Sequence, residues 1–293
     1  MRLLSFLLLF SFLQAEPVVL ITGASRGIGL AIVERLAQRD YKVYAGIRPT
    51  SSSKGLSQLQ EKYPNRIALL TLDVTDEESV QSAVSLLLAR EGKIDALVNN
   101  AGIMAYGSLE NLTIDEAKAI FEVNLFGVMR VCQAVLPAMR AQNSGRIVQI
   151  SSRAGFRPLP SLSLYASSKF ALEGLSETMA ATLTPWNIHI SLIEPGPVDT
   201  ELDALSPYGT RLQEDPYRPL FDRAGLLDPV SPFVQSADEI AAFVQTALEE
   251  PHPLFRYQTT PRIESQAKRR LVDITGLDSL TEWNEVLFPH PNQ

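Results

Sequence analysis

The sequence predicts an α/β protein: one doubly wound parallel sheet with helices on both faces, in a single domain. Three observations predict it. Short aliphatic and β-branched runs alternate with longer amphipathic runs from residue 18 onward. The short runs are nearly continuously apolar, as in strands covered on both faces. No repeat, low-complexity tract or linker divides the chain. Strand and helix in strict alternation mean parallel pairing through helical crossovers.

The strands are expected at 18–22, 42–47, 67–72, 96–99, 146–151 and 188–194. The helices are expected at 27–38, 77–89, 114–139, 164–183 and 237–248. Three of the helices open with capping-box spacing, Thr75-x-x-Glu78, Thr113-x-x-Glu116 and Ser236-x-x-Glu239, in which a hydroxyl and a carboxylate satisfy each other's free backbone N–H groups. The rhythm fails between Pro197 and Pro232, where six prolines fall with no helical or strand period. Long irregular segments in compact domains are usually functional or disordered. This one follows the carboxyl end of a strand, where open α/β sheets bind ligands, and carries Leu202, Leu205, Tyr208, Leu212, Tyr217, Leu220 and Phe221. Segment 197–235 is therefore expected to be a substrate lid within a domain that spans 16–293.

Composition narrows the function classes. The 293 residues are 45% hydrophobic, 20% charged and 8% aromatic, which excludes disordered, collagenous and coiled-coil chains. Lys and Arg number 26 against 33 Asp and Glu, a net charge of −7, so a basic footprint for nucleic acid is missing. One cysteine, Cys132, leaves no internal disulfide and suits a reducing compartment. Three histidines and that cysteine are too few for the usual zinc ligand sets, and no metal is expected. Residues 1–15 form an apolar leader behind Arg2. It reads equally as a short secretory signal or as an uncleaved extension that touches a membrane interface, and it is too short to span a bilayer.

The chemistry begins at Thr22-Gly23-Ala24-Ser25-Arg26-Gly27-Ile28-Gly29, between the first strand and the first helix. Glycines here allow a tight turn, close approach of backbone N–H groups to a pyrophosphate, and close helix–strand packing. The strand-turn-helix context is what gives this Rossmann-type loop its weight. Leu72-Asp73-Val74 and Asn99-Asn100-Ala101-Gly102 end the third and fourth strands at the same edge of the sheet. At the end of the second strand, NAD-binding sites commonly place an acid for the adenosine ribose. This chain has Arg48 there, no acid between Tyr41 and Gln60, and a second cation, Arg26, inside the glycine loop. Two guanidinium groups suit a 2′-phosphate, so the expected cofactor is NADP(H).

Tyr165-Ala166-Ser167-Ser168-Lys169 puts a phenol and an ammonium four residues apart on one helix face, with Ser152 upstream just past a strand. A tyrosine of pKa ~10 is a poor proton-transfer group at neutral pH unless a nearby cation favours its phenolate. A serine hydroxyl aimed at the same point can hold a carbonyl oxygen, which makes a site for interconverting carbonyls and alcohols.

With these residues together, the chain resembles the short-chain dehydrogenase/reductase family from about residue 18 to 200: Thr22 to Gly29, Asp73, Asn99 to Gly102, Asn124, Ser152, Tyr165, Lys169 and Pro195-Gly196. A narrower resemblance, carried by Ser168 to Leu175, Ile188 to Val198 and Arg256 to Thr260, is to the branch containing 17β-hydroxysteroid dehydrogenase type 1 and photoreceptor retinol dehydrogenase. The resemblance implies that Tyr165 is the general acid or base. It implies that Lys169 holds the nicotinamide ribose and that Ser152 bonds the substrate oxygen. Asn124 would position a water at a break in its helix. Asp73 and Asn100 would contact the adenosine half of the cofactor, and Pro195, Gly196, Val198 and Thr200 would line the nicotinamide. Gly23, Ser25, Arg26, Gly27, Ile28, Gly29, Arg48, Val74, Ala101 and Gly102 complete the expected cofactor set. Phe156, Leu159, Leu162 and Leu164 point to a lipophilic substrate, steroid-, retinoid- or fatty-carbonyl-like. The alternatives are a 3-oxoacyl thioester reductase and a non-catalytic dinucleotide-binding sensor or scaffold. The apolar helices imply a homodimer or larger homo-oligomer. A cytoplasmic setting is expected, with membrane association through the leader, or secretion after its cleavage, as the alternatives.

Overall fold

A computed structural model describes residues 16–200, 214–223, 234–270 and 275. The leader and the 201–213 and 224–233 parts of the expected lid lie outside the described residues. The strands are β1 (Val18–Thr22), β2 (Lys42–Ile47), β3 (Ile67–Thr71), β4 (Ala96–Asn99), β5 (Gly145–Ile150), β6 (Ile188–Glu194) and β7 (Arg256–Gln258). They form one parallel sheet in the order β3-β2-β1-β4-β5-β6-β7. The helices are α1 (Gly27–Ala37), α2 (Lys54–Lys62), α3 (Glu77–Glu91), α4 (Ile114–Phe121), α5 (Val128–Gln142), α6 (Ser163–Leu183), α7 (Arg218–Arg223), α8 (Ala237–Glu249) and α9 (Pro261–Arg270).

Strand pleating sorts the core into two layers. On β1, Val18 and Leu20 face Val80 and Leu87 of α3, Val131 and Val135 of α5 and Leu172 of α6. Val19 and Ile21 face Ile32 and Leu36 of α1, Leu56 of α2 and Ile240 and Val244 of α8. All five β1 residues are buried, so this strand reads as a continuous apolar run. Each fully buried Val, Leu or Ile contributes about 1.5–3 kcal/mol. The strand order reverses between β1 and β4, which opens a crevice at the carboxyl ends of the strands.

Two of the expected capping boxes form, Thr113 with Glu116 on α4 and Ser236 with Glu239 on α8. The third does not. Asp76 caps α3 by accepting from the Glu78 N–H, and Thr75 instead donates its hydroxyl to Asp73 Oδ1 at 2.7 Å. A carboxylate one residue closer to the helix is the better acceptor for its positive end. The single helix expected at 114–139 runs on to Gln142, but a π-helical turn at Glu122–Gly127 interrupts it. The short elements α2, α7, α9 and β7 were outside the expected pattern. Each is too brief, or too polar on one side, to show a period over several turns.

Candidate active site

The crevice is a cleft of about 610 Å³ lined by the ends of β1, β2, β3, β4, β5 and β6. Its floor is the turn from β1 to α1. Gly23 and Gly27 hold φ values of 63° and 52°, a region that costs a side chain strain. A Cβ on Gly23 would sit 2.8 Å from the Ala101 Cα, and one on Gly29 would strike the Gly23 carbonyl. α1 has no side-chain N-cap and no acid in its first turn, so its N-terminal N–H groups are left for an anion.

Stitches between neighbouring loops hold that turn. The Thr22 hydroxyl accepts from the backbone N–H groups of Asn100 (3.0 Å) and Ala101 (3.1 Å). The Asn100 side-chain amide donates to the carbonyls of Thr22 (3.0 Å) and Gly23 (2.9 Å). Asn100 lines the cleft as expected, but its amide is committed to the glycine turn, so its visible work is to brace that turn. Asp73 Oδ1 accepts from the Thr75 N–H and hydroxyl, which fixes the β3 end beside Val74. Arg26 and Arg48 both line the cleft, and neither guanidinium has a hydrogen-bond or ion-pair partner among the described residues.

At the other end stand Ser152, Tyr165 and Lys169. Ser152 follows β5, and its hydroxyl oxygen accepts from the Ala154 N–H at 3.1 Å. Tyr165 is in the first turn of α6 and is largely buried. Lys169, one turn later, is buried, with its ammonium 5.6 Å from the Tyr165 ring centroid and donating to the Ile150 carbonyl at 2.8 Å. Asn124 lies in the π-helical turn and is fully buried. Its side chain accepts from the Ile103 N–H (2.9 Å) and donates to the Ile103 carbonyl (2.8 Å) and to the Ser168 hydroxyl (3.0 Å). A Cβ on Gly102 would lie 3.5 Å from Asn124 Oδ1 and 4.0 Å from Lys169 Nζ, so Asn124 and Lys169 meet across that glycine. Ser25, Ile28, Gly196, Val198 and Thr200 also reach the cleft wall. The structure thus brings every expected catalytic and cofactor residue except Asn124 to the lining itself, with Asn124 directly behind it; of the four apolar residues expected at the substrate, Leu159 and Leu162 line the cleft, whereas Phe156 packs on Ile263 and Ala267 and Leu164 is outside the lining.

The family model for short chain dehydrogenases matches residues 17–207. The chain belongs to the short-chain dehydrogenase family. Human 17-beta-hydroxysteroid dehydrogenase type 1 is 37% identical over 289 residues, 94% of this chain and 87% of that protein. Human retinol dehydrogenase 8 is 33% identical, covering 94% of this chain and 92% of that protein. The narrower branch resemblance therefore extends to nearly the whole chain. Among solved structures, a short-chain dehydrogenase from Streptomyces avermitilis is 32% identical with a TM-score of 0.77, over 94% of this chain and 98% of that one. ElxO with NADP bound (26% identical, TM-score 0.69, 83% and 95% covered) is also similar. So is a Burkholderia phymatum family member in complex with NAD (26%, 0.72, 88% and 94%).

Behind this dehydrogenase site lies a layer of charge that the sequence analysis missed. Glu173, one turn beyond Lys169, accepts from the Ser151 hydroxyl at 2.5 Å and pairs with Arg256 of β7 at 3.3 Å. Arg256 also meets Glu177 at 2.9 Å and Glu194 at 3.5 Å, and Gln258 donates to Glu194 at 2.7 Å. Burial pushes the carboxyls of Glu173 and Glu194 above the usual range, Glu194 to about 8, while Arg256 pulls both back. Only a contact spanning 83 residues joins Arg256 to Glu173, and no local motif signals it.

Burial also pushes the Lys169 ammonium down from 10.5 to about 8, opposed by the negative charge of Glu173. Between pH about 8 and 10.5 the unfolded chain therefore holds a proton that the folded protein has released at Lys169. Stability attributable to this group rises with pH across that window. Urea denaturation at intervals through the window should show a rise in wild type that is flattened in Lys169→Met. Identical slopes in the two proteins would show that Lys169 does not titrate there.

Proposed function

We propose that this oxidoreductase uses NADP(H) to interconvert a carbonyl and a secondary or primary alcohol on a lipophilic substrate. The observation that carries the proposal is the convergence of Ser152, Tyr165 and buried Lys169 on one end of a cleft whose other end is a glycine turn with no room for side chains. A pure binding protein has no need of that phenol beside that ammonium.

The turn fits a dinucleotide: it packs so tightly on its neighbours that Gly23 and Gly29 cannot carry a side chain, and the first N–H groups of α1 have no side-chain cap and no acid beside them. The α1 N-terminus with Ser25, Gly27 and Ile28 would hold the pyrophosphate. Asp73, Val74, Ala101 and Gly102 would flank the adenosine, and Pro195, Gly196, Val198 and Thr200 the nicotinamide. Arg26 and Arg48, uncommitted to any acid among the described residues, would receive a 2′-phosphate. The bound cofactor supplies or accepts hydride. Ser152 holds the substrate oxygen by its hydroxyl. Tyr165 gives its phenolic proton to that oxygen in reduction and takes it back in oxidation. Lys169 holds the ribose hydroxyls and favours the phenolate by its charge. Asn124, braced by Ile103 and Ser168, places a water behind Lys169 for proton exchange with solvent.

Ile103, Met104, Tyr106, Leu159, Leu162 and Val234 give the substrate end mainly apolar walls, which supports a lipophilic ligand. Ile114, Phe126 and Phe170 are exposed apolar side chains on the α4–α5 and α6 surfaces, which supports pairing of two copies through these helices.

Tyr165→Phe keeps the ring and removes the proton. Turnover should fall at least ~10²-fold while cofactor binding survives, and near-normal turnover would overturn the assignment. Arg48→Asp should weaken NADPH use and spare or improve NADH use. Equal wild-type kcat/KM for the two cofactors would remove the basis for NADP(H) without touching Tyr165. Light scattering at micromolar concentration should show at least a dimer; a monomer alone would count against pairing.

A further inference from the structure

The residue directly after Ser152 is Arg153, and it lines the same cleft. It is half-buried, and its guanidinium makes no hydrogen bond or ion pair among the described residues. Its backbone is fixed: the Arg153 N–H donates to the Pro195 carbonyl at 2.8 Å, between the β5 end and the Pro195-Gly196 turn. Further cations are brought up beside it. Arg157 lies one turn along, its N–H donating to the Arg153 carbonyl at 2.9 Å. Phe156 packs against Ile263 and Ala267 of α9, and Arg157 and Arg262 are the chain neighbours of Phe156 and Ile263 in that apolar contact. Burial, then Arg157, then Arg262 each work against the charge on Arg153, and among the described residues no carboxylate is one of the groups acting on it.

This arrangement is costly by itself, since a cation withdrawn from water among like charges loses hydration and gains repulsion. The same chain shows the usual remedy at Arg256, which is surrounded by Glu173, Glu177 and Glu194. In a protein with 33 acidic residues, an arginine beside the reacting serine that has no acidic partner among the described residues has room for an acid from outside. We propose that Arg153, backed by Arg157 and Arg262, recognises an anionic group (carboxylate, sulfonate or phosphate) carried by the substrate at a distance from its carbonyl. The inference builds on the carbonyl–alcohol reading above and refines its substrate class. The ligand is amphipathic, with an apolar body along Met104, Leu159 and Leu162 and one charged end.

The test uses ω-oxo fatty acids of eight to fourteen carbons and their methyl esters as matched probes, with NADPH and the full chain. Wild type should prefer the acid over the ester by about tenfold or more in kcat/KM at one or more lengths, the scale of a charge-assisted hydrogen bond. Added salt should erode that preference. Arg153→Met should bring the acid-to-ester ratio close to one by raising KM for the acid, with kcat for the acid reduced much less. NADPH affinity, read from its fluorescence, should not fall. Arg262→Gln, a milder change on α9, should reduce the ratio in part. Equal use of acids and esters by wild type overturns the subsite and leaves the oxidoreductase reading standing, as does an undiminished preference in Arg153→Met. A loss of NADPH affinity in Arg153→Met assigns the arginine to the cofactor and likewise overturns the proposal. No turnover of any acid or ester overturns the carbonyl reading and the subsite with it.

Discussion

The site depends on keeping one ammonium out of water. Lys169 has to sit behind Tyr165, and that position is enclosed by α6, the β5 end and the π-helical turn. Burial works against its charge, and the protein compensates with the Ile150 carbonyl at 2.8 Å and with Glu173 one helical turn away. A buried carboxylate needs partners of its own, which is why Ser151 donates to Glu173 and Arg256 reaches it from β7. Arg256 then draws in Glu194, immediately before the Pro195-Gly196 turn. Breaking such a buried network by removing one partner typically costs about 3–5 kcal/mol, because the remaining charge is stranded. The buried Lys169 therefore ties β5, α6, β6 and β7 into one unit, and the last strand of the sheet supports the candidate site although it lines none of the cleft.

The opposite end of the cleft is built on a different principle. No charge is buried there; hydrogen bonds from Thr22 and Asn100 make a backbone shape with no side chain in the way. Such a surface can be approached closely by a phosphate, and its positive character comes from helix N–H groups and from arginines left partly in solvent. One end fixes protons in a low-dielectric pocket, and the other offers donors in a wetter one. The strand reversal between β1 and β4 lets both ends open on a single crevice.

Much of this was legible because the signals are local. The strands covered on both faces, the glycine turn and the Tyr165–Lys169 spacing each lie within a few residues, and two capping boxes formed as their spacing implied. The misses have physical causes. At α3 two acceptors compete within two positions, and Asp76 lies closer to the free N–H groups than Thr75. The helix break at Asn124 was expected from the family resemblance alone, since the turn holds no proline to announce it; it is there as a π-helical turn, with Asn124 bonded to Ile103 and Ser168, neither of them adjacent in the chain. Asn100, which the resemblance put at the adenosine half of the cofactor, lines the cleft; the bonds of its amide to two carbonyls some 77 residues away had no local signal. The Glu173–Arg256–Glu194 layer has no sequence signature, since a glutamate on a helix and an arginine in a strand are ordinary surface residues until the sheet closes around them.

Two arginines, buried Arg256 and half-buried Arg153, show how charge separates structure from recognition. Arg256 and Arg153 both lose water, and both sit within a residue or two of a strand carboxyl end or its neighbour. Arg256 is met by three glutamates from α6 and β6, so its charge is spent inside the fold and only the fold would notice its loss. Arg153 is approached by cations instead, and its hydrogen bonds to Pro195, Phe156 and Arg157 are all made by its backbone and do nothing for the guanidinium. Packing alone would favour an apolar residue there, as Phe156 three residues on shows by joining Ile263 and Ala267. A charge that the fold opposes, placed beside the serine proposed to hold the substrate oxygen, is explained by what enters the cleft.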